Sequence, residues 1–108
     1  MSKKALILTG KMVQDHEFIY PFYRLQEAGY TVDVCVRGKE ETTGIIGSKI
    51  IPTIDVPEVK VSDFEFLLIP GGAKAMEYMR QDADQLKMIR DFHEAGKVVA
   101  TICHAAQM

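Results

Sequence analysis

Ala5-Leu6-Ile7-Leu8 is an unbroken apolar run, the pattern of a central parallel strand that meets other elements on both faces. It predicts the first strand, and Thr9-Gly10 ends it with a turn signal. The loop from Lys11 to His16 then carries the chain over the carboxyl end of the sheet. From Glu17 on, Phe18, Ile19, Phe22, Leu25 and Ala28 recur at three- and four-residue spacing until Gly29. That spacing predicts an amphipathic helix, with Pro21 tolerable near its first turn and the glycine as its stop. Thr31-Val32-Asp33-Val34-Cys35-Val36 is rich in β-branched residues and predicts a second strand, reached by a right-handed crossover.

Gly38 to Pro57 places Gly44, Gly47, Pro52 and Pro57 around short runs such as Ile45-Ile46 and Lys49-Ile50-Ile51, which predicts a hairpin-like excursion of short strands. Phe66-Leu67-Leu68-Ile69 predicts a third parallel strand, ending in Pro70-Gly71-Gly72. Adjacent glycines at the carboxyl end of a central strand let backbone N–H groups approach a ligand or an oxyanion; a plain tight turn explains them equally well. Asp82 or Asp84 caps a helix running to Ala95, with Leu86, Met88, Ile89 and Phe92 inward and Gly96 as its stop. His93, in the last turn, reads as structural, where a cation suits the helix dipole. Lys97 to Ile102 then predicts a buried strand. The β-α alternation gives an α/β fold with one open, mostly parallel sheet and helices on both faces.

Cys103 follows this last strand and precedes the small helix-formers Ala105 and Ala106. A sharp strand-to-helix turn exposes the side chain at its apex, and Thr101 and Ala105 are small enough for the crowded backbone of such an elbow. A helix N-terminus also favours thiolate over thiol, so Cys103 is a candidate nucleophile; the competing reading is a packed core cysteine. Cys35, inside a predicted strand, reads as core.

Composition narrows the function classes. The chain has 108 residues, 13 basic and 15 acidic, for a net charge of −2, which predicts one domain and points to neither a nucleic-acid groove nor a polybasic membrane patch. A small molecule or a protein is the expected partner. The apolar run after Met1-Ser2-Lys3-Lys4 is too short for a signal-peptide core or a membrane span. The two cysteines form no CxxC, which speaks against a disulfide framework or a zinc site and for a reducing compartment, so a cytoplasmic location is expected. No metal and no cofactor are expected, since no nucleotide fingerprint follows the first strand.

Three ordered motifs carry a resemblance: Gln14-Asp15-His16-Glu17-Phe18-Ile19-Tyr20-Pro21 with Arg24-Leu25 and Ala28-Gly29; Phe66 to Gly72; and Ala100-Thr101-Ile102-Cys103-His104. Through them the chain resembles the ThiJ/PfpI superfamily, the intracellular protease, glyoxalase and deglycase group related to class I glutamine amidotransferase domains. Glu77-Tyr78-Met79-Arg80 is similar to the PfpI-like branch. The resemblance implies a flavodoxin-like sheet, Cys103 as nucleophile, Glu17 as the carboxyl group beside its sulfur, and an oxyanion hole from the Gly72 and His104 amides. It also implies that Glu77 orients the His104 side chain, in some members across a subunit interface, so a homo-oligomer is expected. The stretch from Gly72 to Glu77 is one residue longer than the usual PfpI-like form, and Cys-His-Ala-Ala-Gln stands where Cys-His-Gly-Pro is commoner.

The family continues past the elbow through a helix, further strands and a last helix. Residues 1–108 are therefore expected to be a partial domain, truncated after the elbow, with activity belonging to a full-length parent. The implied chemistry is thiolate attack on a carbonyl, in a peptide, an amide or a small 2-oxoaldehyde. The alternative is a redox-sensing or stress-protective protein whose Cys103 is oxidised without turnover, and a glutaminase-like domain ranks last.

Overall fold

The computed structural model describes residues 3–10, 12–71 and 79–102. Strands β1 (Lys3–Leu8), β2 (Tyr30–Cys35), β5 (Phe66–Ile69) and β6 (Val98–Thr101) form one sheet in the order β2-β1-β5-β6, and every pairing is parallel. A separate antiparallel pair, β3 (Thr42–Thr43) and β4 (Lys49–Ile50), makes the expected hairpin. Helix α1 (Asp15–Glu27) links β1 to β2, and α2 (Ala83–Glu94) links β5 to β6. The alternation of strand and crossover is that of a flavodoxin-like α/β fold.

Both faces of the central strand are covered: Ala5, Leu6, Ile7 and Leu8 are all 0% exposed. That is why the sequence carries no polar alternation there. Each fully buried leucine or isoleucine contributes roughly 1.5–3 kcal/mol over leaving it exposed. Leu67 and Ile69 extend this layer, and Phe64 meets Phe92 of α2 with ring centroids 6.2 Å apart.

Several boundaries and burials differ from the sequence-based expectation. Helix α1 begins at Asp15, two residues earlier than predicted, so Pro21 sits in its interior and removes the amide that would bond the Glu17 carbonyl. It ends before Gly29, whose φ of +95° is the left-handed conformation a helix stop needs. The second strand runs from Tyr30 to Cys35 rather than from Thr31 to Val36. Ile45-Ile46, expected in a short strand, instead lies in the connection between β3 and β4. Asp82 rather than Asp84 caps α2, its side chain accepting from the Asp84 and Gln85 amides. Gln85, not Leu86, joins Met88 and Phe92 as a buried residue of that helix, and His93 is exposed.

The largest departure is β6. It pairs only with β5 among the described residues, and Val98 is 57% exposed. The run Lys97 to Ile102, expected as a buried strand, has no second strand partner among the described residues. Among the described residues, no helix is long and apolar enough to cross a membrane.

Candidate functional site

The carboxyl ends of β1 and β5 meet the first turn of α1. The Gln14 amide donates to the Gly71 carbonyl at 3.0 Å, and the Gly71 amide donates to Glu17 Oε1 at 2.8 Å. Both polar backbone groups of Gly71 are thereby held by the start of one helix. Glu17 is half-buried, and its second carboxyl oxygen has no hydrogen-bond partner among the described residues.

Next to β5 runs β6, with Thr101 opposite Ile69. The Ile102 amide donates to the Ile69 carbonyl at 3.2 Å, one residue beyond the last strand pair. The chain leading toward Cys103 is thus laid alongside the strand beyond whose end Glu17 holds the Gly71 amide. First helix, glycine turn and final strand converge at one end of the sheet, the place where open α/β sheets bind ligands. Cys103, His104, Gly72 and Glu77 lie outside the described residues.

The Gly71 amide is committed to the Glu17 carboxylate; Gly72, whose amide is the one expected to hold an oxyanion, lies outside the described residues.

A second carboxylate in the same turn has a different task, and sequence reasoning missed it. Asp15 is 0% exposed. Its Oδ1 accepts from the Ile46 amide and its Oδ2 from the Ser48 amide, each at 2.8 Å. Burial raises the cost of its charge, yet these amides outweigh that cost and hold its carboxyl below the ordinary value. Gly44 lies so close that a Cβ there would stand 2.4 Å from Asp15 Cγ, so this position is glycine for want of space. Two backbone bonds complete the dock: the Met12 amide donates to Thr43 and the Ile45 amide to Val13, each at 3.0 Å. The signal in the sequence was Gly44-Ile45-Ile46-Gly47-Ser48, a turn whose free amides need an acceptor.

Cys35 is 0% exposed, and burial, reinforced by the negative charge of Asp55, pushes its thiol up to about 12. It is a core residue, as the strand pattern implied. Arg37 binds Asp82 through two nitrogens and reaches Asp84 Oδ2 at 2.8 Å. The hydrogen bonds from Arg37 bring the Asp82 carboxyl down to about 2, against the opposing effect of partial burial. Among the described residues, no group of three or more His, Cys, Asp or Glu converges as metal ligands.

The family model described as the DJ-1/PfpI family matches residues 3–108. The protein named deglycase PfpI from Pyrococcus furiosus is 35% identical over 105 residues, 97% of this chain and 63% of that protein. YraA of Bacillus subtilis, named provisionally as a cysteine protease, is 35% identical over 109 residues, all of this chain and 64% of its own length. Drosophila melanogaster DJ-1beta superposes with a TM-score of 0.90 at 28% identity, covering 99% of this chain and 58% of that one. A DJ-1/ThiJ/PfpI-like and ferritin-like two-domain protein from Anabaena variabilis gives a TM-score of 0.92 at 34% identity, covering 98% of this chain and 31% of that one. The chain spans just under two thirds of the length of the curated relatives PfpI and YraA.

Proposed function

Because the chain belongs to the DJ-1/PfpI family, we propose that it carries the reacting groups of a cysteine-dependent enzyme acting on a carbonyl, with a small carbonyl adduct as substrate. In this reading Cys103 Sγ bonds to the carbonyl carbon, and the displaced π electrons collect on the oxygen. The Gly72 and His104 amides hold that oxyanion. Glu17 exchanges a proton or hydrogen bond with the sulfur, and Glu77 orients His104, across a subunit interface in a homo-oligomer. Peptide or amide hydrolysis uses the same first step. Relatives named as deglycases support the smaller substrate.

One observation carries the reading. The Glu17 carboxylate holds the Gly71 amide at 2.8 Å, immediately before Gly72 and beside the strand that leads to Cys103. An acid in a first turn is otherwise an ordinary helix-dipole residue; here it reaches across to the end of the central sheet.

The test follows release of lactate from methylglyoxal-treated N-acetyl amino acids. Cys103→Ser is expected to abolish release, and Glu17→Gln to lower kcat by about a hundredfold with the fold intact. Cleavage of a fluorogenic peptide without lactate release would replace deglycation by proteolysis. Gain of oxygen at Cys103 under peroxide, with no turnover of either substrate, would replace catalysis by redox sensing.

A further inference from the structure

The first amides of a helix have no partner inside it and must find one outside. In α1 the Gln14 side chain makes no cap hydrogen bond, and the Gln14 amide donates to the Gly71 carbonyl at 3.0 Å. That donor is itself held on both sides. Before it, the Val13 carbonyl accepts from the Ile45 amide; after it, the Asp15 carboxylate is fixed by the Ile46 and Ser48 amides. The Gln14 N–H therefore meets Gly71 from a rigid base.

What it meets is a peptide unit that needs a restraint. Ahead of the glycines the course of the chain is set: the Ile69 carbonyl accepts from the Ile102 amide, and the Pro70 ring restricts φ. The Gly71 amide is held by Glu17 Oε1 at 2.8 Å, which fixes the Pro70–Gly71 peptide. The next unit, Gly71–Gly72, has no Cβ on either side, so it turns over at little steric cost. Among the described residues, the hydrogen bond that restrains it is the one from Gln14.

A trans peptide unit is planar and points its N–H opposite to its C=O. With the Gly71 carbonyl turned onto the start of α1, the amide at the other end of the same unit is directed away from that helix turn, whichever course the chain takes after it. Half a turn of the unit would put a carbonyl oxygen, with its negative partial charge, where a donor is needed.

We propose that the backbone amide of Gln14 is a positioning group for the reaction: by holding the Gly71 carbonyl, it keeps the Gly72 N–H aimed at the oxyanion that forms when Cys103 attacks. This role rests on the reading of Gly72 as an oxyanion donor. Gln14 touches no reacting atom and acts through the Gly71–Gly72 peptide alone.

Replacing the Val13–Gln14 amide by an ester in the full chain tests it, since the N–H is removed and no atom is added in its place. In lactate release, kcat is expected to fall about ten- to a hundredfold, between the loss of one hydrogen bond and the loss of an oxyanion donor. KM is expected to stay within about twofold, the mark of an interaction made in the transition state. Alkylation of Cys103 by iodoacetamide, which expels iodide and forms no oxyanion, is expected at the wild-type rate. A role confined to the fold would slow both reactions. Gln14→Pro is the genetically encoded counterpart. The φ at position 14 is −69°, which proline accepts, but its ring takes the place of the N–H and pushes the Gly71 carbonyl aside, so kcat is expected to fall at least as far. An ester variant with wild-type kcat would overturn the proposal and leave the cysteine reading standing, and so would equal losses of turnover and alkylation. Wild-type protein that neither releases lactate nor cleaves peptide would overturn both.

Discussion

Two carboxylates stand two residues apart in the first turn of α1 and do opposite work. Asp15 is closed off from water and accepts two amides of the hairpin turn. Glu17 is half-exposed, accepts one amide of the sheet, and keeps an oxygen free of described partners. The difference lies in what surrounds each: a glycine-bounded turn folded down onto one, and the open carboxyl end of a sheet beside the other. A carboxylate shut off from water with both oxygens bonded to the backbone can only position, whereas one that still meets solvent can also react. Asp15 and Gln14 together fix the height of the turn from which Glu17 reaches Gly71.

The largest effect that breaks this contrast is Asp15→Ala. It orphans the Ile46 and Ser48 amides and empties the space beside Gly44, and is expected to cost about 3 kcal/mol. Urea unfolding checks it through a lower midpoint at unchanged slope. The loss carries a pH signature. A carboxyl held below its ordinary value of 3.8 in the folded state stabilises the fold fully above that value, and the contribution disappears as pH falls through the lower folded-state value. The gap between the wild-type protein and Asp15→Ala is therefore widest near neutrality and narrows on acidification.

Gly44→Ala comes next, at about 2 kcal/mol, because the new methyl collides with the Asp15 carboxyl group. The two changes are coupled. In an Asp15→Ala background the obstruction is gone, so Gly44→Ala is expected to cost under about 0.5 kcal/mol there. A double-mutant cycle measures the difference; additive costs would mean that the methyl meets something other than the carboxylate.

Much of this architecture was legible in the chain. Ala5 to Leu8 and Phe66 to Ile69 announce central strands because burial on both faces removes every polar position from them. The motif around Glu17 and the glycine pair marked the end of the sheet that the folded chain brings together. Two features were not legible. An apolar run such as Val98 to Thr101 does not encode which strands stand beside it, and among the described residues only one does. Asp15 reads as a loop acid because its partners lie 31 and 33 residues away.

The smallest expected stability effect is the sharpest separation of the two acids. Glu17→Gln preserves length and leaves an amide oxygen that can still accept the Gly71 N–H, so the bond changes from charge-assisted to neutral without being lost. Such a change is worth about 0.5–1 kcal/mol, well under the cost of Asp15→Ala. Exchange of the Gly71 amide reads the same bond locally: its protection is expected to fall by no more than about tenfold while the hairpin amides of Ile46 and Ser48 keep theirs. Asp15→Ala inverts that pattern, because it releases the hairpin amides first and reaches Gly71 only through the helix turn. If Glu17→Gln instead unfolded the protein as severely as Asp15→Ala, both acids would be anchors, and the Glu17 oxygen without a described partner would carry no reason to assign it chemistry.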